Sequence, residues 1–575
     1  MFETYADRMG KHPLLVIPLI AFTLAACANQ PASTAAPTAA PAPVLVPEAT
    51  ATNAPAPATS PTKVPATAMP SPAPTLAATP VLSPPARKPN HLFILADDLN
   101  ADEVQYMPKL KALISDQGET FPNYFVPESL CCPSRATTLR GQYPHNTRVL
   151  SNDPPSGGYQ KFFELGEEQS TIAVWLKNAG YDTMLAGKYL NGYPLKSDPL
   201  HIPAGWSEWY SSIKGNPYSE YNYTLNENGR AVEYGKTAKD YGTDVYVSKA
   251  LDFINRSVKS GKPFFVYLAP YAPHGPYIPA PRHADLFPGV KAPRTANWDE
   301  PDVTDKPGYI RNRPHLSAKQ VTTIDTAFRM RLQALQAVDE GIETLVNALK
   351  ANGALDNTYI VFTSDNGYHL GNHRQVLGKI APYEEELRVS MRVRGPGVPA
   401  GVSLPQLVGN LDLAPTFAQL AGATPADFVD GRSLLPLLRA NPPPLSQWRQ
   451  AISLEWGEDP LDDPNAKVAV VSDAESLEPA DVDETEIAAQ APARKNLLAI
   501  PHFRGLRLQG TSYVEYLTGE KELYDITTDP FQLVNKAPTA PRPLLSELDA
   551  RVKALATCKA ATCRQAEDAL FTQAR

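Results

Sequence analysis

Cysteine is scarce in this chain, with five among 575 residues. Two of the five, Cys131 and Cys132, are neighbours, and a vicinal pair is a poor structural staple. A basic excess is also missing. Lys and Arg number 53 against 61 Asp and Glu, a net charge of −8, so nucleic acid is not an expected partner. The apolar run LLVIPLIAFTL (Leu14 to Leu24) is too short to span a bilayer comfortably. No internal repeat is present. The length excludes one compact core at typical domain sizes of roughly 100–200 residues. Proline is abundant, at 59 residues, and much of it lies near the N-terminus.

Arg8 and Lys11 precede the apolar run, which ends in Leu24-Ala25-Ala26-Cys27. This ending resembles the lipobox of bacterial lipoproteins. The resemblance implies a signal peptide over residues 1–27, cleavage before Cys27 and a lipid on its sulfur. A plain secretory signal with an incidental cysteine is the competing reading. Either way the chain is exported. The lipid reading anchors it at the bacterial cell surface or the periplasmic face of a membrane. Residues 28–87 are Ala, Pro, Thr and Ser with almost no charge, which predicts a disordered tether. In an exported chain, Cys558 and Cys563 favour a disulfide.

Three continuous apolar runs read as buried strands: His91–Leu95, Phe264–Ala269 and Tyr359–Thr363. Each carries polar residues just past its C-terminal end, the edge where open α/β sheets bind ligands. A helix over Ser170–Ala179 precedes a strand over Tyr181–Gly187. Ser317 with Gln320 reads as a capping box before a helix with Ile324, Phe328, Leu335, Val338, Ile342, Leu345 and Leu349 on one face. Asn352-Gly353 stops it. This alternation predicts an α/β domain over residues 88–440, with a large, mostly parallel central sheet flanked by helices. Residues 441–575 form a smaller C-terminal α+β subdomain with an antiparallel sheet. It carries an acidic insertion over 457–495, short strands within Phe503–Ile526 and a closing helix near Leu544–Ala556.

Asp97-Asp98 and Asp365-Asn366 each follow a candidate strand. A hard divalent cation takes such carboxylate and amide oxygens, although Asp and Asn are also common turn residues. Arg135, placed on the first turn of a helix, offers a guanidinium to an oxyanion. Lys188 and Lys379 add positive charge, and His274 can carry a proton. Each also has a bland reading, as a surface or loop residue.

Cys131-Cys132-Pro133-Ser134-Arg135, followed by Leu139 and Gly141, resembles the type I sulfatase signature C-x-P-S-R-x-x-x-L-x-G. Asp97-Asp98, Ser364-Asp365-Asn366-Gly367, Gly187-Lys188 and Pro273-His274 are also sulfatase-like. GQYPHNTRV and AGKYLNGY resemble the N-acetylglucosamine-6-sulfatase branch. The match runs on through DGRSLLPLL and ELYDITTDP to the terminal cysteine pair. The resemblance implies an alkaline-phosphatase-like sulfatase fold. It also implies that a maturation enzyme oxidises Cys131 to Cα-formylglycine, with Cys132 in the variable place. Cys131, Asp97, Asp98, Asp365 and Asn366 would then surround Ca2+, or Mg2+. Arg135 and Lys188 would steady the hydrated aldehyde. Lys188, Lys379, His274 and Asn191 would hold the sulfate ester, and His274 with Lys379 would protonate the leaving oxygen.

The implied partner is a sulfated glycan or an aryl or sugar sulfate ester, most specifically a 6-sulfated glucosamine. Many sulfatases carry a histidine where this chain has Leu190, so the second proton carrier is open, with His145 and His373 as candidates. Loops Gly215–Tyr223 and Arg282–Pro314 are expected to shape the pocket. The runner-up activities are a phosphonate or phosphate ester hydrolase of the same superfamily and a non-catalytic sulfated-glycan-binding lipoprotein.

Overall fold

The computed structural model describes residues 88–457 and 498–570. The signal peptide with Cys27, the tether, and all but the first residue of the acidic insertion lie outside the described residues.

The central sheet has eleven strands. They are β1 (Asn90–Ala96), β2 (Glu119–Phe125), β3 (Asp182–Gly187), β4 (Glu208–Gly215), β5 (Tyr223–Glu227), β6 (Arg230–Tyr234), β7 (Phe264–Ala269) and β8 (Thr358–Ser364). A short hairpin, β9 (His369–Leu370) and β10 (Leu377–Gly378), stands apart. The sheet resumes with β11 (Arg388–Arg394), β12 (Val402–Ser403) and β13 (Val408–Gly409). The order is β12-β2-β11-β8-β1-β7-β3-β4-β5-β6, with β13 also on β2. Its centre, β8-β1-β7-β3-β4, is parallel. The expected mostly parallel sheet is present, with antiparallel pairings to either side of its centre. There β11 runs antiparallel to both neighbours, and β4-β5-β6 is an antiparallel meander. These strands alternate or carry charge, so they lack the continuous apolar signal of strands buried on both faces.

That signal has a direct cause in β1. Leu92 and Ile94 enter one apolar layer with Val266, Leu268, Ile360 and Phe362. Phe93 and Leu95 enter the opposite layer with Phe265, Tyr267 and Val361. Successive side chains point to opposite faces, so a strand covered on both sides must be apolar throughout. Five helices are relevant here: α1 (Cys131–Arg140), α2 (Ile172–Asn178), α3 (Gly242–Ser260), α4 (Ala318–Ala351) and α5 (Leu413–Leu420). α3 and α4 cover the first face, and α1, α2 and α5 the second. The expected capping box of α4 is present: Ser317 Oγ accepts from the Gln320 N–H. Asn352 closes the helix, and Gly353 follows with φ +64°.

The C-terminal sheet is antiparallel, with β14 (Ala451–Trp456), β15 (Phe503–Leu508), β16 (Thr511–Tyr516) and β17 (Lys521–Asp525) in sequential order. β14, beside the acidic insertion, is an addition to the sequence reading. One face of this sheet packs on Phe125, Leu130, Tyr309 and Tyr383. The other packs on α6 (Arg542–Ala556) and α7 (Ala561–Asp568). The expected Cys558–Cys563 disulfide is formed.

Candidate active site

The parallel pairing of β1 with β8 sets Ala96 beside Ser364. The acid pairs that follow each strand therefore emerge side by side. The Asp98 N–H donates to Asp365 Oδ1 at 3.0 Å, and the Leu99 N–H to Ser364 Oγ at 2.8 Å. Asp98 has φ +62°, a left-handed conformation that costs an ordinary L-residue on the order of 1–2 kcal/mol. All four residues, Asp97, Asp98, Asp365 and Asn366, are buried.

Cys131 is the first residue of α1, whose ten residues are all buried. Its Sγ lies 3.6 Å from Asp97 Oδ1, 3.8 Å from Asp98 Oδ1 and 3.0 Å from Lys379 Nζ. Cys132 instead packs in the apolar layer beneath, and its N–H is capped by Asn152 Oδ1 at 2.9 Å. Arg135 sits one turn after Cys131, in the second turn of α1 rather than the first. Nε donates to Asp365 Oδ2 at 2.8 Å, Nη1 to the Lys188 carbonyl at 3.0 Å, and Nη2 lies 3.6 Å from Asp97 Oδ1. Those contacts are to protein groups, so Arg135 braces the carboxylates.

Lys188 follows β3. Gly187 (φ +112°) makes the approach possible, because a Cβ there would meet the Ala269 carbonyl oxygen at 1.9 Å. Lys188 Nζ grips Asp97 at 2.8 and 3.0 Å, and Lys379 Nζ grips Asp98 at 2.8 and 3.1 Å. His274 Nε2 is 3.4 Å from Asp98 Oδ2, and Nδ1 is 2.9 Å from the Gly275 carbonyl. Three carboxylates thus face three permanent cations. Burial works to raise the Asp97 pKa, but Lys188, His274, Arg135 and Lys379 hold it well below the usual carboxylate range. At Asp365 burial wins over Arg135, raising the pKa to about 6.

A recess beside Lys188 is lined by Leu190, Asn191, Ser211, Ser212, Tyr218 and Tyr271, among others. Loop Gly215–Tyr223 therefore contributes, through Tyr218. The ring of Tyr218 lies 4.6 Å from that of His274 and 5.1 Å from Lys188 Nζ. Among the described residues, none from Arg282–Pro314 lines this recess. That loop instead supplies Asn297 and Glu300 to His373. His373 is thereby engaged by that loop, and it stacks on Tyr383. His145 pairs with Glu455 at 2.9 Å and faces the Cys558 carbonyl. Neither histidine joins the cluster. Sequence reasoning missed Tyr218 as an individual residue, because a loop aromatic has no spacing signal. It also gave Ser134 no role beyond the signature. The Ser134 hydroxyl donates to the Asp365 carbonyl and accepts from Asn410 Nδ2 at 2.9 Å.

The donor set fits a hard cation. Ligand atoms of Asp97, Asp98, Cys131 and His274 lie within 4.8 Å of one another, and Asp365 and Asn366 adjoin them. Asn366 Nδ2 donates to Asp98 Oδ1 at 2.7 Å, while Asn366 Oδ1 is buried with no hydrogen-bond donor. A buried amide oxygen without a donor costs free energy. Beside carboxylates, it is what an oxygen-seeking cation would satisfy.

A family model described as Sulfatase matches residues 89–423. The chain is 37% identical over 493 residues to the N-acetylglucosamine-6-sulfatase of Capra hircus, covering 83% of this chain and 85% of that protein. It is also 37% identical over 492 residues to the N-acetylglucosamine-6-sulfatase of Homo sapiens, covering 83% and 86%. A solved structure described as a complex with its substrate D-glucosamine-2-N,6-O-disulfate superposes with a TM-score of 0.66. It has 23% identity and covers 85% of this chain and 100% of that one, a likeness of fold.

Proposed function

The chain belongs to the sulfatase family, and from that premise we propose that it removes sulfate from a 6-sulfated glucosamine or a related sulfated glycan. Cys131, converted to formylglycine, is the proposed nucleophile, and Ca2+ the proposed cation. One observation carries this reading. The side chain that begins the signature helix points into a buried set of three carboxylates and three cations, 3.0 Å from Lys379 Nζ. Identity to the glucosamine-6-sulfatases supports the sugar class.

Asp97, Asp98, Asp365 and Asn366 would hold the cation. When bound, it supplies positive charge for the sulfate oxygens and acidifies the attacking hydroxyl. Residue 131, as a hydrated formylglycine, would offer one hydroxyl to take the sulfo group and a second whose deprotonation would expel sulfate and restore the aldehyde. Lys188 and Lys379 would balance the negative charge that develops on the sulfo oxygens, where fixed electrostatics contribute most. Both ring nitrogens of His274 face acceptors, Asp98 and the Gly275 carbonyl. From there His274 would pass a proton to the leaving alcohol. Tyr218 packs against the ring and limits its rotation. Asn191 lines the recess beside Lys188 and would meet the sugar there.

The same proposal includes export with a lipid on Cys27, a maturation enzyme acting on Cys131, and a catalytic region over 88–440 followed by the C-terminal subdomain. Sulfate release from N-acetylglucosamine-6-sulfate tests the site. Cys131→Ala should abolish release with the fold intact, and Cys132→Ala should retain it. Mass spectrometry of the parent should find an aldehyde at residue 131. Equal loss in both variants, or full activity with an unmodified thiol, would overturn the assignment. Parallel assays with a sulfate ester and a phosphate diester of one phenol separate the sulfatase from a phosphohydrolase.

A further inference from the structure

Arg331 is a fully buried cation outside the set described above, and it touches that set. It lies on α4, on the face that otherwise presents Phe328, Leu332 and Leu335 to the core. Its Nε and Nη2 each reach an oxygen of Glu103 at 2.7 Å. Nη2 also donates to the backbone carbonyl of Asp98. The guanidinium lies 4.5 Å from the ring of Tyr368 and 5.8 Å from that of Tyr277. Glu103 is itself anchored, because its Oε2 accepts from the Asn100 N–H at 3.1 Å. Asn100 Nδ2 donates in turn to the Tyr368 carbonyl at 2.8 Å.

Asp98 is the carboxylate shared by Lys379, Asn366 and His274, and it holds the left-handed backbone conformation that L side chains rarely adopt. Such a conformation persists only where the surroundings over-determine it. At Asp98 both backbone polar groups are gripped: the N–H by Asp365 Oδ1 and the carbonyl by Arg331. The second grip comes from α4, an element separate from the strand ends that carry the carboxylates. Burying a guanidinium and a carboxylate is costly, and packing α4 alone would be served by an aliphatic residue.

The geometry points to Arg331, fixed by Glu103, as a positioning residue that locks Asp98 in the conformation aiming its carboxylate at the cation. This rests on the cation site proposed above. Removing the lock deletes none of the proposed ligand side chains but lets the Asp98 peptide relax. The expected consequence is weaker cation binding, not loss of the site. Changes to groups that orient metal ligands typically cost 10–100-fold in metal affinity.

Calorimetric titration of the chelator-stripped full chain with Ca2+ tests this, alongside melting temperature without Ca2+. Arg331→Lys keeps the charge opposite Glu103 but lacks the fork that also reaches the Asp98 carbonyl. The double variant Arg331→Met with Glu103→Gln removes both buried charges, so neither is left unpaired. The Ca2+ Kd should rise roughly tenfold or more in each, and sulfate release should return towards the parent's at saturating Ca2+. Unchanged Kd in either folded variant overturns the proposal, and a lowered melting temperature with unchanged Kd makes Arg331 a packing residue only. A parent that binds no Ca2+ would instead sink the cation site itself, a separate result.

Discussion

Replacing His91 with leucine should remove a single proton-binding event from the acid unfolding of this protein. His91 lies near the start of β1, the strand that delivers Asp97 and Asp98, and is fully buried. Its ring stacks on Tyr181 at 5.3 Å and Tyr359 at 6.1 Å and meets the edge of Phe417 at 5.4 Å. Neither ring nitrogen has a hydrogen-bond partner. Burial pushes the pKa from 6.5 down to about 3. The folded state therefore refuses a proton that the unfolded chain accepts between those values. Stability from the neutral ring is complete above pH 6.5 and is lost as pH falls towards 3, at about 1.4 kcal/mol per unit. In His91→Leu this loss is absent, whereas all other titrations are shared with the parent. Urea denaturation at pH 7, 5.5 and 4 reads the difference in unfolding free energy. Relative to pH 7, it should move in favour of the variant by about 1 kcal/mol at pH 5.5 and about 3 kcal/mol at pH 4. The absolute offset at pH 7 reflects repacking and carries no weight. A difference that stays flat across the range would refute a neutral, proton-refusing His91.

Asp365→Ala should weaken Ca2+ binding and sulfate release together, since this residue also orders Asp98 and Arg135; metal analysis and turnover on one preparation would expose a variant that loses only one. Arg449 is fully buried between Asp412, at 2.5 and 2.6 Å, and Glu567, at 2.8 Å. Arg449→Met leaves the buried Asp412 without its cation and Glu567 with Arg432 alone, and should cost about 3–5 kcal/mol in urea denaturation. Adding Asp412→Asn should recover most of it, and a loss under about 1 kcal/mol from the single change would contradict the reading.

The amino-acid sequence by itself determined the strands that are buried on both faces. β1, β7 and β8 could be read as continuous apolar runs because no position along them meets water. It also determined the ends of α4, since Ser317, Gln320 and Gly353 act through local backbone bonds, and it offered Cys131, Asp97, Asp98, Asp365, Lys188, His274 and Lys379 as candidates, which the fold brings into one cluster. Only the tertiary structure decided who faces whom. The register of β1 on β8 sets the two acid pairs together, and the twist of one turn along α1 turns Arg135 onto those carboxylates. The antiparallel strands of the central sheet and β14 escaped the reading because they mix charged and polar residues with apolar ones, and their pairing is settled by their neighbours. His145 and His373 had the right chemistry, but Glu455 and Glu300 hold them elsewhere. Arg331 and Glu103 are 228 residues apart, and a contact across such a separation exists only once the chain has packed, because no local pattern encodes which distant carboxylate will neutralise a buried cation.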